Sequence, residues 1–120
     1  DTTLTEMRRA ARLVVTNTYM TRNLGEIPLN LTGKTGTAEY GVRDKQGRLP
    51  YHNWISGFVA PTDNWSKTDS DFAYVVFMHG SNTVSNAAIE VLKLYLKLQY
   101  DLKRDYRIPG SMSIGNYYGE

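Results

Sequence analysis

Residues 29–40 read Leu-Asn-Leu-Thr-Gly-Lys-Thr-Gly-Thr-Ala-Glu-Tyr, and the interpretation of the whole chain begins with this stretch. The pattern predicts an extended segment, and its two glycines indicate a place where a ligand or another backbone comes close. Its centre, Lys34-Thr35-Gly36-Thr37 (the KTGT segment), combines one cation, two hydroxyl groups and a glycine. This combination suits the binding of a carboxylate and the stabilisation of an oxyanion.

The composition favours one folded domain of ordinary size. A chain of 120 residues with 41% hydrophobic residues can bury a modest core. A net charge of +2 is too small to indicate nucleic acid or an anionic membrane surface as a partner. Cysteine is absent, and His52 and His79 lie far apart without ligand spacing, so we expect neither a metal nor another cofactor.

The pattern of apolar residues predicts a helix, three strands and a second helix, in that order. The predicted elements are helix Thr5–Val15, strands Leu29–Tyr40, Trp54–Ala60 and Phe72–Met78, and helix Val84–Leu102. Thr3 and Glu6 form a capping box before the first helix, and Thr83 or Ser85 is the expected N-cap of the second. The connections are too short for helical crossovers, which favours antiparallel pairing. The third strand is apolar on both faces and is expected to be central and covered.

Several other side chains are interpreted as structural. Arg8, Arg9 and Arg12 are expected to form a solvated helix face, because arginine is usually exposed. His52 is expected to have a structural role at the start of the second strand. The aromatic side chains expected in the core are Trp54, Phe58 and Tyr74.

Beyond the KTGT segment, the sequence resembles the C-terminal part of a penicillin-binding protein transpeptidase domain. In that family a Lys-Thr-Gly strand is followed by a pattern similar to Trp-Phe-x-Gly-Phe-x-Pro, and residues 52–61 read His-Asn-Trp-Ile-Ser-Gly-Phe-Val-Ala-Pro. A hydrophobic strand, a glycine turn and a long helix come next in both, so the resemblance covers roughly residues 4–102. The Tyr-His-Asn-Trp entry to the second strand is most similar to class B enzymes of the elongation type.

The resemblance implies a fold and an incomplete active site. Residues 1–105 would be the C-terminal portion of a transpeptidase domain, and residues 106–120 an extended or mobile tail. The implied fold is α+β, an antiparallel sheet with three strands from this chain and flanking helices, within a serine β-lactamase/transpeptidase-like fold. The family's Ser-x-x-Lys and Ser-x-Asn motifs are both missing from this sequence. We therefore expect a missing N-terminal portion to supply the nucleophile, which this chain alone lacks.

The resemblance also assigns roles within the KTGT segment. Lys34 and Thr37 would be catalytic: Lys34 would bond the serine of the missing Ser-x-Asn motif, and the Thr37 backbone N–H would be one oxyanion-hole donor. Thr35, Gly36 and Thr37 would bind substrate. The two threonine hydroxyls would reach a carboxylate, and Gly36 would let a substrate strand approach.

The implied function is that of a peptidoglycan D,D-transpeptidase, which cross-links stem peptides through an acyl-enzyme and binds β-lactam antibiotics. Its expected partners are the remaining N-terminal portion, the stem peptide, β-lactams and, as a further candidate, a membrane glycosyltransferase. The expected location is the extracytoplasmic face of the bacterial cytoplasmic membrane, held by an anchor outside this chain. Two alternatives stay open: a serine β-lactamase fragment, and a non-catalytic β-lactam sensor or transpeptidase-like binding module.

Overall fold

A computed structural model describes residues 1–18, 24–81 and 87–103 of the chain. Its elements are helix α1 (Thr2–Thr16), strands β1 (Asn30–Leu31), β2 (Lys34–Glu39), β3 (Tyr51–Ala60) and β4 (Phe72–Ser81), and helix α2 (Ala87–Gln99). The α+β class is as expected, but the sheet has four strands because the predicted strand Leu29–Tyr40 is divided into β1 and β2. The predicted caps Thr83 and Ser85 and the tail 106–120 lie outside the described residues.

Strand β3 is the centre of the described sheet. It pairs with β1, β2 and β4, and its pairing with β1 is antiparallel, with Asn30 opposite Ala60. The prediction that Phe72–Met78 is central and covered is wrong, because β4 pairs with β3 alone among the described strands. The side chains of Val75 and Phe77 are 67% and 45% exposed. An apolar pattern indicates that both faces of a strand can be buried. It does not show whether other residues of the same chain pack against those faces.

Helix α1 begins earlier than the sequence predicts. Asp1 is its N-cap, and the Asp1 carboxylate accepts a hydrogen bond from the Thr3 backbone N–H at 3.0 Å. Glu6, expected to complete a capping box, instead pairs with Arg9 at 2.7 Å on the exposed surface. The two possible caps lie two residues apart, and an aspartate at the N-cap position satisfies the same orphan donors.

The arginines of α1 do not form a solvated face. Arg8 is 9% exposed, and its guanidinium lies 4.4 Å from the centre of the Phe58 ring and donates to the Asp69 carbonyl at 3.1 Å. Arg12 is half-buried and donates to the Leu31 carbonyl at 2.7 Å. The predicted solvated face is therefore wrong for both, although Arg9 does lie at the surface. The guanidinium groups face inward because an aromatic ring and backbone carbonyls accept them there.

Part of the predicted apolar stripe of α1 consequently faces outward. Leu4 and Met7 are 43% and 65% exposed, whereas Val15 is fully buried. Helical spacing identifies residues that share a face, but the neighbouring elements decide which face is covered. For α1, the covered face is the one that carries Arg8 and Arg12.

The described residues form two compact groups, each with its own buried side chains. The first group is Asp1–Lys34 with Ser56–Val75, and the second is Thr35–Ile55 with the described residues from Val76 onward. The core of the first group contains Val15, Leu24, Ile27, Leu31 and Val59. The core of the second contains Ile55, Ile89, Leu92 and Leu96, and α2 also buries a Lys93–Glu90 ion pair with an N–O distance of 2.9 Å.

The break between β1 and β2 has a specific hydrogen-bonding pattern. The Thr32 hydroxyl accepts the Phe58 N–H at 3.0 Å, in the place a backbone carbonyl would take, and the Thr32 N–H donates to the Phe58 carbonyl at 2.9 Å. The Thr32 carbonyl accepts the Tyr74 hydroxyl at 2.5 Å, and the Gly33 N–H donates to the Ala11 carbonyl at 3.1 Å. We call the peptide unit between Thr32 and Gly33, with these two partners, the Thr32–Gly33 clamp.

Gly57 of β3 makes room for the clamp. A Cβ atom at Gly57 would clash with the Thr32 carbonyl group and would lie 2.7 Å from the Tyr74 hydroxyl oxygen. Gly57 is not among the described glycines with a positive φ, so its requirement comes from packing and not from backbone conformation. Burial of the Tyr74 hydroxyl raises its pKa, which keeps it protonated and able to donate.

Substitution Gly57→Ala should therefore destabilise the fold by about 1–3 kcal/mol, the usual cost of forcing extra atoms into a packed site. The measurement is urea unfolding. Gly36→Ala is the matched control, because its new methyl group would meet only Trp54 atoms at 3.8 and 3.9 Å. Equal stability of the two variants would contradict the assigned role of Gly57.

The raised pKa of Tyr74 predicts a loss of stability at alkaline pH. Below about pH 10, the hydroxyl is protonated in both the folded and the unfolded chain. Above that pH the unfolded chain releases the proton while the folded chain retains it, so the free energy of unfolding falls as pH rises towards the folded-state pKa. Urea unfolding from about pH 8 to about pH 11 should show the difference between wild type and Tyr74→Phe shrinking. A difference that stays constant would refute the assignment.

Candidate functional site

The KTGT segment forms the first four residues of β2. Its backbone is extended, as the sequence predicts, and β2 pairs with β3 alone among the described strands. Lys34, Gly36 and Thr37 are exposed, and Thr35 is half-buried. The four predicted site residues thus lie together on an exposed edge strand of the described sheet.

The two faces of β2 carry different groups. Side chains alternate along an extended strand, so Thr35 and Thr37 project to one face and Lys34 to the other. A Cβ atom at Gly36 would lie 3.8 Å from the Trp54 Cβ and 3.9 Å from its Cδ1, so Trp54 packs beside Gly36. The strand therefore offers two hydroxyl groups on one face and the Lys34 cation on the other.

Trp54 was expected in the core, and that prediction is wrong. Its side chain is 41% exposed, although its neighbours Asn53 and Ile55 are buried. The indole packs against Phe77 with ring centres 4.4 Å apart, and Phe77 is itself partly exposed. Aromatic residues dominate cores on average, but alternation along β3 places Trp54 on the opposite face from its two buried neighbours.

The fold itself does not require glycine at position 36. The described glycines with a left-handed φ are Gly41, Gly47 and Gly80, and Gly36 is not one of them. The contacts that an added Cβ would make at Gly36 are ordinary van der Waals distances. What the glycine provides is an exposed position without a side chain, which makes the approach of another backbone easier.

The two histidines lie close together, although their separation in the sequence gave no sign of it. The rings of His52 and His79 are 4.8 Å apart, and Tyr40 stacks on His52 at 4.0 Å. The His52 Nδ1 atom accepts the Gly80 N–H at 3.3 Å, so His52 helps to fix the end of β4. Across the described residues, no group of three or more His, Cys, Asp or Glu side chains could hold a metal ion.

The connection between β2 and β3 is ordered by Asp44. The Asp44 carboxylate accepts hydrogen bonds from the backbone N–H groups of Arg48 and Gln46, each at 2.9 Å, and pairs with the Arg48 guanidinium at 3.0 Å. The Arg48 backbone N–H is the main cause of a lowered pKa for Asp44. This local network fixes the turn that joins the KTGT strand to the central strand.

A pocket of about 370 Å³ lies in the first compact group, away from the KTGT residues. None of Lys34, Thr35, Gly36 or Thr37 lines it. Arg12 lines one wall, and burial of its guanidinium lowers the Arg12 pKa. The remaining lining residues are Ile27, Pro28, Leu29, Asn30, Val59, Ala60, Pro61 and Asp71. The KTGT residues thus lie outside this pocket, on an edge strand of the described sheet.

Two residues near the KTGT segment were not identified as site candidates from the sequence. Trp54 borders the open side of Gly36, and Tyr74 is bonded to Thr32, two residues before Lys34. The one available signal was Gly57, a glycine inside an apolar strand pattern, which indicates close approach of another group. That signal names neither the approaching group nor its element.

Comparisons with known proteins identify no relative. No protein-family model matches the chain, and searches of the curated proteins and of the solved structures also return no match. Among the described helices, none has the length and apolar character needed to cross a bilayer.

Proposed function

We propose that this chain is the C-terminal part of a peptidoglycan D,D-transpeptidase, a penicillin-binding protein. The observation that carries the proposal is that the KTGT segment forms an exposed edge strand that carries no side chain at Gly36. An edge strand can accept a peptide as an additional strand through main-chain hydrogen bonds. The resemblance to class B transpeptidases of the elongation type supplies the reaction.

The two faces of β2 support binding of a peptide terminus. On one face, the hydroxyl groups of Thr35 and Thr37 donate to the terminal carboxylate of a stem peptide or to the carboxylate of a β-lactam. On the other face, Lys34 adds a positive charge, which favours an anionic ligand. Gly36 leaves the backbone accessible between them.

The proposed reaction needs a serine from the N-terminal portion of the domain. Its hydroxyl oxygen attacks the carbonyl carbon of the penultimate D-Ala, its proton passes through the lysine of Ser-x-x-Lys to the departing nitrogen, and the terminal D-Ala leaves as the free amine. The oxyanion accepts hydrogen bonds from the Thr37 N–H and from the serine's own N–H. An amine on a neighbouring stem peptide then takes the acyl group and releases the serine.

This function implies partners and a location. The N-terminal portion carries Ser-x-x-Lys and Ser-x-Asn, and together with this chain it forms a serine β-lactamase/transpeptidase-like fold. The domain acts in cell-wall synthesis at the extracytoplasmic face of the cytoplasmic membrane. A membrane glycosyltransferase is a candidate partner there, because cross-linking requires glycan strands as they are made.

Labelled penicillin tests the proposal, using this chain reconstituted with a segment that carries Ser-x-x-Lys. Stable covalent labelling with slow release supports the transpeptidase. Labelling followed by rapid hydrolysis would instead indicate a β-lactamase. Absence of labelling would rule out both enzymes and favour a non-catalytic transpeptidase-like binding module.

Gly36→Ala should separate folding from function. Its urea unfolding should match wild type or show a gain of up to about 1 kcal/mol, because alanine restricts the unfolded chain. Its rate of penicillin labelling should fall by about tenfold or more, equivalent to about 1.4 kcal/mol, because the new methyl group occupies the open edge. A wild-type labelling rate would show that the edge at Gly36 is not used.

Lys34→Gln should lower the labelling rate by at least about tenfold, because it removes a positive charge that favours the anionic ligand from the opposite face of β2. Lys67→Gln is the matched control, since Lys67 is an exposed lysine in the loop before β4 and its substitution removes the same positive charge. Second-order labelling rates of the three proteins provide the comparison. Equal losses in both variants would assign the effect to net charge and not to the site.

A further inference from the structure

Tyr74 makes a hydrogen bond to the backbone just before the KTGT segment. Its hydroxyl donates to the Thr32 carbonyl at 2.5 Å, and that carbonyl belongs to the peptide unit that ends at Gly33. The N–H of the same peptide unit donates to the Ala11 carbonyl of α1 at 3.1 Å. A single peptide unit is therefore bonded at its oxygen by β4 and at its nitrogen by α1.

The polar groups around the Thr32–Gly33 peptide unit all have hydrogen-bond partners in this orientation. In a regular ladder, the Thr32 carbonyl would accept the Phe58 N–H, but the Thr32 hydroxyl accepts that N–H at 3.0 Å instead. Thr32 is fully buried, so its carbonyl needs a partner inside the protein. Tyr74 is that partner, and Gly57 leaves the space through which the hydroxyl reaches it.

The clamp lies immediately before Lys34, the first residue of the KTGT segment. Each residue of the backbone has only two soft dihedral angles, so the orientation of the Thr32–Gly33 peptide unit strongly limits the direction in which the chain continues. Without the Tyr74 hydroxyl, the Thr32 carbonyl would have one nearby alternative donor, the Phe58 N–H. Taking that donor would rotate the peptide unit and change the start of β2.

We infer that Tyr74 is a positioning residue for the KTGT segment and acts through the carbonyl oxygen of Thr32. This inference rests on the proposed function, because its consequence is a change in the acylation of the partner serine. Tyr74 does not touch the ligand. It fixes the peptide unit that immediately precedes Lys34.

The test is the kinetics of penicillin labelling in the reconstituted protein. Tyr74→Phe should lower the maximal acylation rate by about tenfold or more, while the apparent affinity for the β-lactam changes by less than about threefold. Hydrogen exchange of the Gly33 amide should become faster in the same variant, because its peptide unit loses one of two restraints.

Two control variants separate positioning from stability. Tyr95→Phe makes the same tyrosine-to-phenylalanine change at a half-exposed residue of α2. Ile55→Val removes a methylene group from a fully buried side chain outside the clamp. Both should label within about twofold of wild type at a temperature where each variant is folded. Equal slowing in Ile55→Val would show that stability alone sets the rate.

The outcomes distinguish the inference from the proposed function. If wild type labels and Tyr74→Phe labels at the same maximal rate, the inference is overturned and the proposed function is retained. Unchanged Gly33 exchange in Tyr74→Phe would also overturn it. Wild type that never labels would overturn the proposed function and the inference together.

Discussion

The peptide unit between Thr32 and Gly33 is the constraint on which the site depends. Its oxygen is bonded to Tyr74 and its nitrogen to Ala11, so strand β4 and helix α1 hold the backbone just before Lys34. A buried carbonyl without a partner costs about 1–3 kcal/mol, which makes this arrangement expensive to disturb. The hydroxyl of Thr32 makes it possible, because it replaces the carbonyl in the ladder with β3.

Helix α1 also holds the strands beside the clamp through its arginine side chains. The Arg12 guanidinium donates to the Leu31 carbonyl, one residue before the clamp, and Arg8 lies over the Phe58 ring of β3. The side of the helix that carries Arg8 and Arg12 therefore faces the strands, and the apolar side chains of Leu4 and Met7 face outward. This orientation follows from hydrogen bonding and cation–π contact, and the count of apolar residues on each face does not reveal it.

The two glycines near the site have different physical reasons. Gly57 is required by packing, because a side chain there would collide with the clamp, whereas nothing in the described contacts requires glycine at position 36. The glycine at position 36 therefore fits the proposed approach of a ligand backbone to β2, but it does not follow from the fold.

The sequence by itself determined the α+β order of elements and the extended backbone of the KTGT segment. These features depend on residues near one another in the chain, through apolar periodicity. The tertiary structure alone decided that β3 is central, that Arg8 is buried, that Trp54 is exposed and that Tyr74 bonds Thr32. Each of these features depends on a contact with a residue distant in the sequence. Local sequence patterns do not indicate which distant residue makes that contact.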